Sequence, residues 1–89
     1  MTIYCLPLIS PGDYETFRRL LNNDLPDTYN EWSNLHLKKL SDVRRQGEVC
    51  QEIKVQPDEF ARFAAASRYT PNYDLLRHYV ANMSGGHPY

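Results

Sequence analysis

Cysteine and histidine side chains are the residues of this 89-residue chain that could bind a metal ion or pair as nucleophile and base. They are Cys5, His36, Cys50, His78 and His87. Protein metal sites usually take two ligands from one turn or one helical face at a short, fixed spacing. No two of these five stand at such a spacing, so the sequence predicts no metal site and no cofactor.

Nucleophilic catalysis needs more than a reactive atom, because the nucleophile must lie beside a base and an oxyanion site. No glycine-rich elbow flanks Cys5 or Cys50, and no phosphate-binding glycine loop is present. We therefore expect a non-enzymatic protein, and a small enzyme built around Cys50 or His36 is the alternative without a supporting motif. His36 is expected to be structural, bonded through one ring nitrogen and packed through its ring.

The positive and negative charges of the chain are nearly balanced. Ten Lys and Arg residues stand against eleven Asp and Glu, a formal net charge of -1, which is not typical of a dedicated binder of nucleic acid or membrane surfaces. The opening stretch MTIYCLPLIS lacks a basic region, and Pro7 and Ser10 interrupt its apolar run. It predicts neither a signal peptide nor a membrane span, so we expect a cytoplasmic protein with reduced cysteines.

One helix carries a concentration of basic residues, namely Lys38, Lys39, Arg44 and Arg45. These side chains could contact a phosphate backbone, which defines the alternative hypothesis of a nucleic-acid-associated regulatory protein. The simpler interpretation is that cations favour the negative end of a helix dipole and keep the outer face solvated.

The clearest structural pattern runs from Glu48 to Ser67. Val49, Gln51, Ile53 and Val55 alternate with polar residues, as in a half-buried strand whose odd-numbered side faces inward. Glu52 is thereby assigned to the polar, solvent-facing side. A helix is predicted to begin at Pro57, because proline suits the first helical position. Phe60 and Phe63 then fall on one helical stripe and should pack together on the strand.

The remaining elements are predicted from the same signals. A first strand covers residues 2–9, a helix follows Ser10 and Pro11, a long helix runs from about Thr28 to Gln46, and a last helix begins at Thr70 and Pro71. A strand leading up, a helix leading down and a helix leading up return the chain to the top of the sheet, so the second strand should run down, antiparallel to the first. The sequence therefore predicts an α+β fold of order β-α-α-β-α-α, with a two-stranded antiparallel sheet packed with four helices.

The two halves can also be aligned with an offset of about 46 residues, which allows a pseudo-twofold internal repeat. We expect a single domain over residues 1–84 and a mobile tail over residues 85–89.

Two strands alone form a weak sheet with unpaired groups at both edges. The leading functional hypothesis is therefore a protein-protein interaction module that self-associates, as a homodimer or with another protein partner. The strand containing Ile3 is the expected meeting edge if Pro7 lies at its end, and the strand containing Val49 is the other possibility.

Overall fold

The fold, described for residues 2–89 by a computed structural model, is a small parallel sheet with helices on both faces. The elements are β1 (Ile3–Leu8), a 3-10 turn (Pro11–Asp13), α1 (Tyr14–Leu20), α2 (Tyr29–Arg45), β2 (Val49–Lys54), α3 (Pro57–Ser67), α4 (Tyr73–Ser84) and β3 (His87–Pro88). Both helices and strands are present in the expected order up to α4, so the α+β class is retained.

Local side-chain chemistry sets the helix ends. The hydroxyl of Thr28 accepts a hydrogen bond from the backbone N–H of Glu31 at 3.2 Å and begins α2. The side chain of Asn72 caps α4 in the same way at 2.8 Å from the N–H of Leu75. Gly47 follows α2 in the left-handed region, where a residue without Cβ is favoured. Because Asn72 is the cap of α4, the last helix begins at Tyr73, two residues later than the predicted start at Pro71.

The sheet has the strand order β2-β1-β3, and both pairs are parallel. The expected two-stranded antiparallel sheet is wrong in number and in direction. The reason is the length of α1, which has seven residues and spans about 10 Å, whereas α2 has seventeen and spans about 25 Å. Only α2 is long enough to return the chain along the full sheet, so β2 starts at the same end as β1.

The third strand comes from residues assigned by sequence to the tail. His87 and Pro88 pair with Tyr4 and Cys5 of β1. The Tyr89 ring also packs edge-on against the Tyr4 ring, with centroids 5.5 Å apart. The sheet therefore extends beyond residue 84, and its third strand carries almost no sequence signal, because it contains two residues.

The offset of 46 residues has a different meaning from a repeat. It equals the register of β1 with β2, in which Ile3 pairs with Val49 and Leu8 with Lys54. Residues paired in this way lie on the same face of a sheet, whereas a twofold axis along the strands would exchange the faces. In the two strands the offset therefore coincides with their pairing register, and the pseudo-twofold arrangement is not supported.

Two side-chain contacts show which helix covers each face. Sγ of Cys5 lies 2.7 Å from Oγ of Ser84 in α4, and Glu52 contacts His36 in α2. Because Glu52 pairs with Leu6 and neighbouring residues of a strand point to opposite faces, α4 and α2 lie on opposite faces. Right-handed crossovers predict this arrangement. The connection from β1 to β2 moves one way across the sheet and the connection from β2 to β3 moves back, so their helices lie on opposite faces.

The main core joins β1 with α1, α3, α4 and the start of α2. Its buried members are Cys5, Ile9, Tyr14, Phe17, Leu21, Leu25, Trp32, Val55, Phe60, Leu76 and Val80. Phe60 is fully buried, while Phe63 is only partly buried at the margin of the cluster. The expected pair of core phenylalanines is therefore one core ring and one marginal ring.

Candidate self-association surface

The outer side of β2 is the longest unpaired strand edge in the part of the chain that the structure describes. β1 is hydrogen-bonded to a strand on each side. The Ile3 strand is the less favourable meeting edge, because β2 covers one side of β1 along six residue pairs and β3 covers Tyr4 and Cys5 on the other side. β2, the other possibility, has one free side along its six residues.

The backbone of β2 offers hydrogen-bonding groups along this side. The N–H groups of Val49 and Val55 point inward and donate to the carbonyls of Thr2 and Leu8, at 3.4 and 3.2 Å. Successive residues of a strand direct their backbone groups to alternate sides. The N–H and C=O groups of Cys50, Glu52 and Lys54 therefore point outward. No proline interrupts the strand, so every outward N–H group of β2 is present to donate.

One face of β2 is poorly covered by helices. Val49 is 39% exposed, Ile53 is half-buried and Gln51 between them is exposed. Sequence alternation assigns these three residues to the inside, but among the odd-numbered positions only Val55 is fully buried. The uncovered side chains place apolar surface directly beside the free edge.

The opposite face of β2 lies under α2. Burial raises the pKa of the Cys50 thiol, the nearby Glu52 carboxylate raises it further, and the positive charge of Arg44 opposes both. Cys50 is thus a protonated thiol at neutral pH and not an activated nucleophile. Arg44 exerts this opposing influence from the last turn of α2.

Leu37 belongs to the same side of α2. It stands seven residues before Arg44, which returns it to the same helical stripe, and it is 59% exposed. Lys39 lies on the other side of the helix, where Nζ is 3.1 Å from the hydroxyl of Tyr73 and 4.7 Å from its ring centroid. That contact joins α2 to the start of α4.

The four basic residues of α2 do not share one surface. Lys38 and Arg45 are seven residues apart and occupy one exposed stripe. Arg44 is displaced from that stripe by about 100° around the helix, and Lys39 bonds to Tyr73. A phosphate backbone following the helix would meet two of the four cations. Nucleic-acid binding through all four residues stays a prediction that this arrangement does not favour.

The cysteines and histidines are dispersed. Cys5 and Cys50 are both free thiols, and they lie on opposite faces because Cys50 pairs with Tyr4. Within residues 2–89, no group of three or more His, Cys, Asp or Glu side chains is placed to hold a metal ion. Over the same range, the helices include none that is both long and apolar enough to cross a membrane.

Sequence reasoning missed Leu37 as a surface residue of interest. Its signal is an apolar side chain outside the predicted apolar stripe of the long helix, next to Lys38. Comparison with protein-family models, curated proteins and solved structures finds no match for this chain.

Proposed function

We propose that this protein is a self-associating interaction module that forms a homodimer by antiparallel pairing of two β2 edges. The observation that carries the proposal is the free edge of β2, with the outward backbone groups of Cys50, Glu52 and Lys54 beside apolar surface. Pairing across a twofold axis joins two three-stranded sheets into one sheet of six strands, and it satisfies backbone groups that otherwise bond only to water.

The side chains select one register. A twofold axis normal to the sheet passes between two copies of one residue, and Gln51 is the position that suits the charges. Val49 then faces Ile53 of the second copy, an apolar pair on the uncovered face. Moving the axis to Glu52 would set two carboxylates opposite each other, which is unfavourable. Moving the axis to Cys50 would set Glu48 of one copy opposite Glu52 of the other, which is equally unfavourable.

The helical layer is compatible with this register. The axis keeps α2 of both copies on the same face of the joined sheet, running antiparallel with their Leu37 sides toward each other. The bond from Lys39 to Tyr73 lies on the other side of each α2, so it does not occupy the surface between the two helices. Burial of the 59% of Leu37 that is exposed would add about 1 to 2 kcal/mol per side chain to the association.

Sedimentation equilibrium of the wild type and a charged edge variant tests the proposal. At about 0.1 mM protein we expect a dimer for the wild type and a monomer for Val49→Lys, since a lysine on an edge strand opposes pairing. Met83→Lys is the matched control, because Met83 is similarly exposed (52%) but lies on α4. A wild type that sediments only as a monomer, or a control that dissociates equally, would contradict the proposal.

Disulfide trapping tests the register. In a Cys50→Ser background, Gln51→Cys should form a disulfide-linked dimer on mild oxidation, because facing residues of a non-hydrogen-bonded pair have Cα atoms about 4.5 Å apart. Glu52→Cys in the same background should not form this disulfide, because the two residues 52 would be diagonal neighbours with Cα atoms about 7 to 8 Å apart. The reverse result would move the axis to Glu52 and refute the register.

A further inference from the structure

A groove of about 460 Å³ runs between the C-terminal end of α3, residues 68–72 and the exposed side of α4. It lies on other elements than the β2 edge, so it stands independently of the proposed dimer. Its volume falls within the range of roughly 300 to 1,000 Å³ in which small-molecule sites are found. Cavity size therefore allows a ligand, and its chemistry depends on the lining.

A row of polar side chains follows one edge of the groove. Asp74, His78 and Asn82 recur at every fourth residue of α4 and all line it, so they form one stripe of the helix. At 1.5 Å per residue the row is about 12 Å long. Asn72 adds an amide at the Asp74 end of the row. The side-chain oxygen of Asn72 already caps α4, and its NH₂ group is left to donate.

The other side of the groove is aromatic and aliphatic. Phe63 and Leu75 are half-buried, and Tyr69 is 67% exposed. An aromatic ring of this exposure on a small protein offers a flat apolar surface with a polar hydroxyl at its tip. The groove thus combines a stacking surface with a row of hydrogen-bonding groups.

The charges of the groove are balanced. Asp74 is hydrogen-bonded to Arg77 and lies 3.7 Å from Nε2 of His78. Arg77 also donates to the carbonyl of Tyr89, and neither Lys nor Arg is among the lining residues. A ligand with a phosphate, a sulfate or a strong positive charge would find no unpaired counter-charge here.

We propose that the α3–α4 groove binds a neutral saccharide, with Tyr69 stacking on a sugar ring and the Asp74, His78 and Asn82 row bonding to its hydroxyls. A pyranose ring has an apolar face of C–H groups and an edge of hydroxyls that both donate and accept. Asn82 supplies a donor and an acceptor, and Asp74 supplies acceptors. The 12 Å row exceeds one nucleobase edge, which favours a short oligosaccharide over a nucleoside.

Amide chemical-shift mapping of the whole protein tests this assignment. The probes are glucose, galactose, N-acetylglucosamine and their disaccharides, each at up to about 50 mM. We expect at least one of these sugars to shift the amide resonances of residues 63–82 in a saturable manner. Adenosine and uridine serve as the competing class. Binding of a nucleoside without any sugar, or shifts from no probe, would overturn the proposal.

Variants assign the roles of the side chains. Tyr69→Ala should weaken binding of the responding sugar at least about tenfold, while Tyr69→Phe, which keeps the stacking face, should stay within about twofold. Asn82→Ala should weaken binding by about five- to tenfold. Met83→Ala, exposed on the same helix outside the groove, is the control and should bind as the wild type. Equal loss in the control would refute the site.

Discussion

The Glu52 carboxylate bonds to the imidazole of His36, with 2.7 Å between Oε1 and Nε2. The His36 side chain is 5% exposed, and its ring stacks on Trp32 with centroids 4.9 Å apart. His36 is thus bonded through one ring nitrogen and packed through its ring, as expected from the sequence. The assignment of Glu52 to a purely solvent-facing role is wrong, because its carboxylate is what satisfies a buried ring nitrogen.

Removing that carboxylate should destabilise the fold. Glu52→Ala leaves a buried nitrogen of His36 without its partner, and we expect a loss of about 1 to 3 kcal/mol in the free energy of unfolding, measured by urea denaturation. Glu52→Gln, which can still bond to the ring, should lose less. Gln51→Ala on the neighbouring exposed position should change stability by about 0.5 kcal/mol or less. Equal losses for Glu52→Ala and Gln51→Ala would show that the bond is unimportant.

The two phenylalanines of α3 should differ. Phe60 is fully buried and packs against Phe17, with ring centroids 6.2 Å apart. Phe60→Ala should therefore cost about 3 to 5 kcal/mol and unfold most of the protein at 37 °C. Phe63 is only partly buried and packs on Tyr79, so Phe63→Ala should lower the thermal midpoint by clearly less. Thermal denaturation followed by circular dichroism distinguishes the two, and the opposite ranking would reverse the assignment of the core ring.

Tyr14 should make stability depend on alkaline pH. Burial raises the pKa of its hydroxyl, which donates to the carbonyl of Pro26 at 2.6 Å. The tyrosine hydroxyl of an unfolded chain has a pKa of about 10, so the stabilisation from buried Tyr14 is complete below that pH. It is lost as pH rises toward the higher folded pKa, because only the unfolded chain ionises there.

Urea denaturation between about pH 8 and 11 should show this loss, and Tyr14→Phe should reduce its slope. The variant should also lose about 1 to 2 kcal/mol at neutral pH, where the Pro26 carbonyl is left without its donor. An unchanged alkaline slope in Tyr14→Phe would contradict the role of Tyr14.

Gly86 holds the chain close to β1 just before β3. A Cβ added there would lie 2.6 Å from Sγ of Cys5 and 3.0 Å from the carbonyl oxygen of Ile3. Gly86→Ala should cost about 1 to 3 kcal/mol, and Cys5→Ala should relieve part of this cost in a double-mutant cycle. At Gly12 an added Cβ meets nothing within 4 Å, so Gly12→Ala is the control. Additive losses at Gly86 and Cys5 would show that the contact is absent.

Short-range signals in the sequence predict where most elements lie. Thr28, Pro57 and Gly47 act through local hydrogen bonds or fixed backbone angles, which are largely independent of the rest of the chain. The direction of β2 depends instead on how far α1 extends. Asn22 and Asn23, both at positive φ, end that helix region early, and the sequence does not show that the remaining α1 is too short to cross the sheet.

The candidate surface was less predictable than the elements. Alternation in β2 indicates two faces but does not say which face a helix covers, and α2 covers the side of Glu52. The groove on α4 depends on where Tyr69 stands after Arg68, a residue in the left-handed conformation. Long-range placement of this kind follows from packing, which periodicity does not encode.

The two neighbours of β1 differ in how far along the chain they lie. Ile3 pairs with a residue 46 positions later, whereas Tyr4 pairs with His87, 83 positions later. Loop closure alone penalises the longer connection by only about 0.5 kcal/mol, but β3 holds two residue pairs against six for β2. In native-state hydrogen exchange, the β1 amides bonded to β3 should therefore exchange by local opening, while those bonded to β2 should exchange only with global unfolding.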